Sequence, residues 1–295
     1  MTRRVPSHPS IAFLAFIALI ILTGETTLAL HSQAPLFPPE TRSALQHLQE
    51  SFPHWTLTSS SPSFASVQEL ANTEIPRRDG GIVLAYQTSS GSPGSKDRLL
   101  ILLHEFFGLS QSICDKADAL AKDLDCTVIA PDTFRGVSST FIPKCIWLAL
   151  STPQDRVNQD LDDVLAHYGT SSLAVMGFCY GGGKAIRYTT QCQPNAATVI
   201  CYGSPLTDVE ELSKLQKPVC GIFGRDDLQF PIPLLQQFET SLEESTVPNW
   251  ELTIYDGVGH AFWKNMDQIE RKEQPQYDAY QQVLSFLRKN LVEFV

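Results

Sequence analysis

From Gly80 to the C-terminus, short apolar runs of strand length alternate with amphipathic stretches of helical length, which limits the chain to few architectures. Ile82 to Gln87, Arg98 to Leu103, Thr127 to Ala130, Leu173 to Phe178, Ala197 to Cys201, Pro218 to Phe223 and Glu251 to Tyr255 read as strands. Between them, a helix over Gln111 to Asp123 groups Ile113, Ala117, Leu120 and Leu124 on one face, and a helix over Asp155 to His167 does the same with Val157, Leu161, Val164 and Leu165. Further helices are expected from Gly182 to Thr190, after Pro231, and from Gln276 to Asn290. This order predicts an α/β fold with a mostly parallel central sheet and helices on both faces. In such a sheet the chemistry collects in loops beyond the strand C-termini.

The 295 residues suffice for one such domain over 79–295, preceded by two segments of different character. Residues 30–78 are rich in Pro and Ser, with one helix expected from Glu40 to Ser51, and read as an extension packed on or tethered to the domain. In residues 1–29 an apolar run from Ile11 to Leu22 follows Arg3 and Arg4 and precedes Thr27-Leu28-Ala29, the pattern of a signal peptide. The expected destination is therefore the secretory pathway or the extracellular space, the alternative being an uncleaved membrane anchor. The run is shorter than the ~20 residues that span a bilayer comfortably. Membrane contact is expected only through this N-terminal apolar segment. A net charge of −10 and the lack of a Lys/Arg stripe argue against a nucleic-acid partner. Seven cysteines show no CxxC spacing and no Cys/His cluster, so no metal is implied; disulfides among the six other than Cys179 stay open for an exported chain.

Four loops concentrate the reactive residues. The strand ending near Met176 runs through Gly177-Phe178-Cys179-Tyr180-Gly181-Gly182-Gly183 into a helix, the form of a nucleophile elbow with Cys in place of Ser. A thiol there sits at a helix N-terminus, whose dipole and amides favour thiolate. Taken alone, the motif also fits a buried Cys in a Gly-rich turn. His260, in the Gly-bracketed loop after the last strand, has the chain position of a general base that takes the nucleophile's proton and later activates water. In Gly224-Arg225-Asp226-Asp227 either Asp could orient that imidazole; the GxxD spacing with Pro231 beyond it favours Asp227. The loop His104-Glu105-Phe106-Phe107-Gly108-Leu109 follows the expected central strand, where this class of fold draws one oxyanion-hole amide. The two donors would be the backbone amides of Phe106 and Tyr180.

Together, HEFFGL at 104–109, APD at 130–132, GFCYGG at 177–182, GRDD with Pro231, and GHAF at 259–262 resemble the dienelactone hydrolase (carboxymethylenebutenolidase) family of the α/β-hydrolase superfamily, over roughly the last three quarters of the chain. The resemblance implies a Cys179, Asp227, His260 triad, with Glu105 as an additional partner of the thiol that helps ionise it when substrate binds. It implies a small-molecule ester or enol-lactone substrate, cleaved through a thioester without a cofactor. Family members grip a substrate carboxylate with Arg residues; Lys264 stands at one such position, and Arg156 is a candidate second cation. Lys keeps the charge but not the bidentate fork, which puts the dienelactone substrate itself in question. The stretch from Phe134 to Leu150, with Phe141, Ile146, Trp147 and Leu148, reads as a cap over the pocket that favours an apolar substrate. Two other functions are compatible with these residues: a ligand-binding protein on a hydrolase scaffold, and a thiol redox protein using Cys179 with another cysteine.

Overall fold

Strands buried on both faces lose the polar/apolar alternation of a surface sheet, and the continuous runs LLILL at 99–103 and VIA at 128–130 are of this kind. In the computed structural model, which describes residues 65–169 and 172–291, these runs form the middle of an eight-stranded sheet. The strands are β1 (Thr73–Pro76), β2 (Ile82–Ser89), β3 (Arg98–Leu103), β4 (Thr127–Pro131), β5 (Ser172–Phe178), β6 (Ala197–Cys201), β7 (Val219–Gly224) and β8 (Trp250–Tyr255). Their spatial order is β1-β2-β4-β3-β5-β6-β7-β8. The β1/β2 and β2/β4 pairs are antiparallel, and every other pair is parallel. The expected α/β-hydrolase architecture is therefore the observed one.

The sheet begins earlier than the sequence suggests. β1 lies within the stretch assigned to the extension, because four residues ending in Pro, with Ile75 alone buried, carry too little periodicity to be read as a strand. A short helix α1 (Val67–Leu70), capped reciprocally by Ser66 and Glu69, precedes it. The apolar run at 11–22 and the helix expected at 40–51 lie outside the described residues.

Helices α2 (Gln111–Leu124), α3 (Ile142–Ser151), α4 (Gln154–Tyr168), α5 (Tyr180–Gln191), α6 (Val209–Leu212), α7 (Ile232–Glu244), α8 (Met266–Glu270) and α9 (Gln276–Asn290) complete the chain. Alternate residues of each strand serve opposite faces. Leu100 and Leu102 of β3 pack with Ile113, Ala117 and Leu120 of α2 and with Val283 and Leu287 of α9. Leu99, Ile101 and Leu103 pack on the other side with Val157, Leu161 and Val164 of α4. Beyond β6, α7 covers Ile200, Val219 and Phe223 with Leu235, Phe238 and Leu242. Among the described residues no helix is long and apolar enough to cross a membrane.

Parallel register brings the functional loops to one edge. Leu103 stands opposite Gly177, Phe178 opposite Cys201, and Gly224 opposite Tyr255, so the loops after β3, β5, β6, β7 and β8 leave the sheet side by side. The expected cap is helix α3. Of its apolar residues Leu148 is buried, whereas Phe141, Trp147 and Leu150 are about half exposed and turned to solvent.

Candidate active site

The turn from β5 into α5 forces Cys179 to φ 52°, ψ −114°, outside the regions an L-residue prefers. Such strain costs of order 1–3 kcal/mol and persists only where its surroundings enforce it. They do so here: a Cβ on Gly177 would lie 2.1 Å from the Gly181 carbonyl oxygen, and one on Gly181 would lie 2.4 Å from the Leu103 carbonyl oxygen. The Cys179 amide is further tied to the Cys201 carbonyl at 2.9 Å. This closeness also explains why α5 starts at Tyr180, two residues before the expected Gly182. Three glycines predict a poor helix start, but only glycines let the first turn of α5 reach the backbones of the β3 loop and of Gly203.

The thiol so presented meets the loop after β8. His260 Nε2 lies 3.0 Å from Cys179 Sγ, and its Nδ1 lies 2.8 Å from Asp227 Oδ2. Asp227 is 2% exposed, and its other oxygen accepts the amides of Gln229 at 2.8 Å and Phe230 at 3.2 Å. The neighbouring Asp226 is exposed. Tyr202 and Phe230 flank the imidazole, with ring centroids at 5.6 and 5.7 Å. Burial disfavours the imidazolium, but the hydrogen bonds to Asp227 and Cys179 and their charges outweigh it and push His260 up to about 10.

The other six cysteines are of another kind. All are free thiols in the structure, and burial pushes Cys114 and Cys126 up to about 12 and Cys145 up to about 11, which makes them poor nucleophiles.

The loop after β3, whose Leu103 and His104 carbonyls lie against Gly181 of the elbow, carries Phe106. Neither its amide nor that of Tyr180 has a hydrogen-bond acceptor among the described residues, as an oxyanion site requires. The orientation of the Phe106 amide depends on what holds the Glu105 carbonyl, which is the Gly108 amide at 3.1 Å together with His104, a residue that the sequence reading passed over. His104 is fully buried; its Nε2 lies 3.2 Å from the Thr133 amide nitrogen and 2.9 Å from the Thr133 hydroxyl. Because a backbone amide can only donate, Nε2 is the acceptor and Nδ1 carries the proton, which it gives to the Glu105 carbonyl at 2.7 Å. Burial lowers the His104 pKa and keeps the ring neutral. A fixed Glu105 carbonyl fixes the opposite direction of the Phe106 N–H across the planar peptide. Asp132 accepts the amides of Phe134 and Gly136 and so sets the loop that holds Thr133. The APD segment carried this signal, but nothing in the sequence places it against His104.

The remaining sequence candidates are placed differently. The Glu105 carboxylate makes no hydrogen bond to Cys179 among the described residues; it lies beside the Tyr202 hydroxyl and within electrostatic reach of Lys116. Lys264 is exposed, and its backbone, not its ammonium, makes the contacts, through its amide to Gln268 and its carbonyl to Ser112 and Lys116. Arg156 donates through Nη2 to the Thr133 carbonyl and the Thr152 hydroxyl. Neither cation contacts the Cys179, His260, Asp227 group.

The dienelactone hydrolase family profile matches residues 84–291, more than two thirds of the chain. The chain belongs to the dienelactone hydrolase family. A relative from Methylorubrum extorquens, provisionally named a carboxymethylenebutenolidase, is 26% identical over 236 residues, covering 73% of this chain and 79% of its own. One of the same provisional name from Saccharolobus solfataricus is 29% identical over 127 residues, 43% of this chain, and the match spans about half of that relative's length (48%). Among solved structures, a provisionally named dienelactone hydrolase from Klebsiella pneumoniae superposes with a TM-score of 0.63 at 24% identity, covering 72% of this chain and 95% of its own. A dienelactone hydrolase-like promiscuous phosphotriesterase, P91, superposes with a TM-score of 0.61 at 17% identity, covering 74% and 97%. At these identities the superpositions show a shared fold, and family membership makes this dienelactone hydrolase-type chain a hydrolase.

Proposed function

We propose that this hydrolase cleaves an ester or enol-lactone with Cys179 as nucleophile, through a thioester. The observation that carries this reading is the unbroken chain from Cys179 Sγ to His260 at 3.0 Å and from His260 to Asp227 at 2.8 Å, set on a strained elbow. The thiolate sulfur bonds to the carbonyl carbon, and the carbonyl π pair moves onto an oxygen held by the Phe106 and Tyr180 amides. Collapse of that oxyanion breaks the bond to the leaving oxygen, which takes the proton from His260 Nε2. In a lactone the leaving oxygen stays attached and the ring opens. The raised affinity of His260 for its proton comes partly from Cys179 itself, so acylation, which removes the sulfur's charge, lowers it. The imidazole is then a base able to take a proton from water as the water oxygen attacks the thioester. The sulfur leaves as thiolate, and the net reaction adds one water to one ester.

Glu105, within reach of Tyr202 and Lys116, is read as acting on the thiol through charge rather than by direct contact. Lys264, exposed at the end of the histidine loop, is kept as the cation for a carboxylate-bearing substrate, with Arg156 assigned to the base of the cap. The N-terminal apolar run is kept as an export signal, which the N-terminal sequence of the protein isolated from its native cells tests directly.

The mechanism is tested with Cys179→Ala on a panel of aryl esters and lactones, with and without a carboxylate. Turnover is expected to vanish while the fold is kept, and wild-type protein quenched during turnover should carry the acyl mass on the peptide containing Cys179. A folded Cys179→Ala protein with wild-type turnover refutes the assignment.

A further inference from the structure

Helix α3 does not close its own C-terminal end. Its last turn carries no basic residue, and the residue after it, Thr152, has extended backbone (φ −94°, ψ 98°) rather than the left-handed conformation that often ends a helix. Only Thr152 and Pro153 separate it from α4. The last four carbonyls of a helix need partners from elsewhere. The Thr152 hydroxyl supplies one, donating to the Leu148 carbonyl at 2.7 Å, and two cations from other helices close on Thr152 itself. Arg156 of α4 donates through Nη2 to its hydroxyl at 2.7 Å, and Lys184 of α5 donates through Nζ to its carbonyl at 2.8 Å. Positive charge is favoured there by the dipole of α3. Among the described residues the hydrogen bonds of these two side chains go to Thr152 and to the Thr133 carbonyl, none to a carboxylate. Other cations of the chain pair with acids, as Arg135 does with Asp160 and Arg98 with Asp125. Water satisfies an exposed helix end, so two half-buried cations on a threonine that is 2% exposed mark a joint that the fold holds in place.

This joint lies next to the reacting groups. Lys184 stands five residues after Cys179, and its ammonium is 5.4 Å from the centroid of the Tyr180 ring. The Tyr180 hydroxyl lies 3.3 Å from that of Thr133, whose carbonyl accepts from Arg156 Nη2 at 3.1 Å. Gln154, the first residue of α4, donates to the Lys184 carbonyl at 3.2 Å. The other end of α3 is tied to the loop after β3. There the Ser139 amide donates to the Phe107 carbonyl at 3.3 Å, and the Cys145 thiol of α3 donates to the Ser139 carbonyl at 2.9 Å. Helix α3 is therefore strung between the loop that carries Phe106 and the helix that begins at Tyr180.

We propose that Lys184 and Arg156 are positioning residues that together close the C-terminal end of α3 and fix this helix beside the approach to Cys179. A helix held there bounds the space for the group next to the reacting carbonyl, so the pair sets how tightly substrate binds rather than how fast the thiol reacts. Arg156 then serves every substrate alike, with or without a carboxylate. The role in substrate binding rests on the reading of Cys179 as nucleophile; the anchorage of α3 does not.

Amide hydrogen exchange measures the anchorage without turnover. Lys184→Met and Arg156→Gln are each expected to speed exchange in α3 by about 10-fold or more, while exchange in α9 stays within about 3-fold of wild type. Lys184→Arg, which keeps the charge, should bring α3 back to within about 3-fold of wild type. With aryl esters, Lys184→Met and Arg156→Gln should each raise KM by about 5-fold or more and change kcat by less than about 3-fold, equally for esters with and without a carboxylate. Unchanged exchange in α3, or a rise shared by the whole fold, overturns the anchorage. A KM that rises in Arg156→Gln only for carboxylate-bearing esters assigns that guanidinium to the substrate and overturns the proposal, as does a lower kcat at unchanged KM. Should Lys184→Met not fold, the same exchange test is carried by Lys184→Gln, which keeps a donor without the charge, and by Thr152→Val, which removes the hydroxyl between Arg156 and Leu148. Faster exchange confined to α3 together with a failed Cys179 test leaves the anchorage standing and removes its role in substrate binding.

Discussion

Asp227→Asn separates the proposed charge relay from the packing around it. The substitution is isosteric, and the two backbone amides of Gln229 and Phe230, at 2.8 and 3.2 Å from Oδ1, need an acceptor. The Asn carbonyl must therefore face them, which turns the amide NH2 toward His260 Nδ1. A donor at that place forces Nδ1 to give up its proton, and the neutral ring then carries its proton on Nε2, facing the sulfur, where it can no longer act as base. The electrostatic loss adds to the wrong tautomer. His260 stands at about 10 against an ordinary 6.5, despite burial. At roughly 1.4 kcal/mol per unit this is on the order of 5 kcal/mol of preference for the imidazolium, shared between Asp227 and Cys179. Half of that is on the order of 2 kcal/mol, or roughly 30- to 100-fold, and with tautomer inversion the expected loss in kcat/KM is about 10³-fold. Aryl-ester hydrolysis measures it at neutral pH, with far-UV circular dichroism to show that the fold persists. A second signature is the rate at which iodoacetamide alkylates Cys179. At neutral pH it should be faster in the wild type, where Nδ1 gives its proton to Asp227 and leaves Nε2 able to take the thiol proton. In Asp227→Asn it should climb with pH as hydroxide takes over formation of the thiolate. If Asp227→Asn keeps kcat/KM within about 5-fold of wild type and Asp226→Asn does not, the acid has been misassigned and the reasoning from burial and distance fails.

In Gly181→Ala, the new Cβ would lie 2.4 and 2.6 Å from the carbonyl oxygens of Leu103 and His104. The usual helix gain of Ala over Gly, up to about 1 kcal/mol, should lose to steric overlap costing about 1–3 kcal/mol, read by urea unfolding; an equally stable, fully active variant would show that the elbow is not tight. Cys179→Ser keeps a hydrogen-bonding group beside Nε2 but removes the ionisable sulfur, whose charge raises His260, so NMR titration should show its imidazolium proton lost at lower pH than the wild type's value near 10. Identical titrations in the two proteins would show that Cys179 contributes nothing to the raised pKa of His260. His104→Phe keeps an aromatic ring but takes one of two donors from the Glu105 carbonyl, which keeps the Gly108 amide, and removes the acceptor of the Thr133 amide, the latter at about 1–3 kcal/mol in unfolding free energy if water cannot replace it. It should lower kcat by about 10-fold with KM little changed, because the Phe106 amide is held less firmly; a KM effect alone would place His104 in substrate binding instead.

Much of the site was legible because each reactive residue sits in a loop that its own flanking sequence marks. The glycines around Cys179, the strand preceding His260 and the GxxD run before Pro231 all announce their positions along the chain. His104 and Lys116 carry no such mark. His104 owes its tautomer to Thr133, 29 residues away, and Lys116 is paired with a carbonyl 148 residues away. On a helix wheel Lys116 even reads as one more polar residue between buried Cys114 and Ala117, and the burial that sets it against the Lys264 carbonyl exists only once α2 is packed. The same holds in reverse for the cap, whose Phe141 and Trp147 read as pocket-lining and stand in solvent.

The apolar runs of the strands and the periodicity of the helices determined the α/β sheet with helices on both faces, since burial on two faces and helical amphipathicity are local patterns. Local patterns do not carry distances. The choice between Asp226 and Asp227 facing His260, the partners of Glu105 and the direction of the Phe106 amide were decided by the parallel register that brings five loops to one edge of the sheet. There burial and long-range hydrogen bonds, rather than residue type, set which groups are charged and which atoms meet.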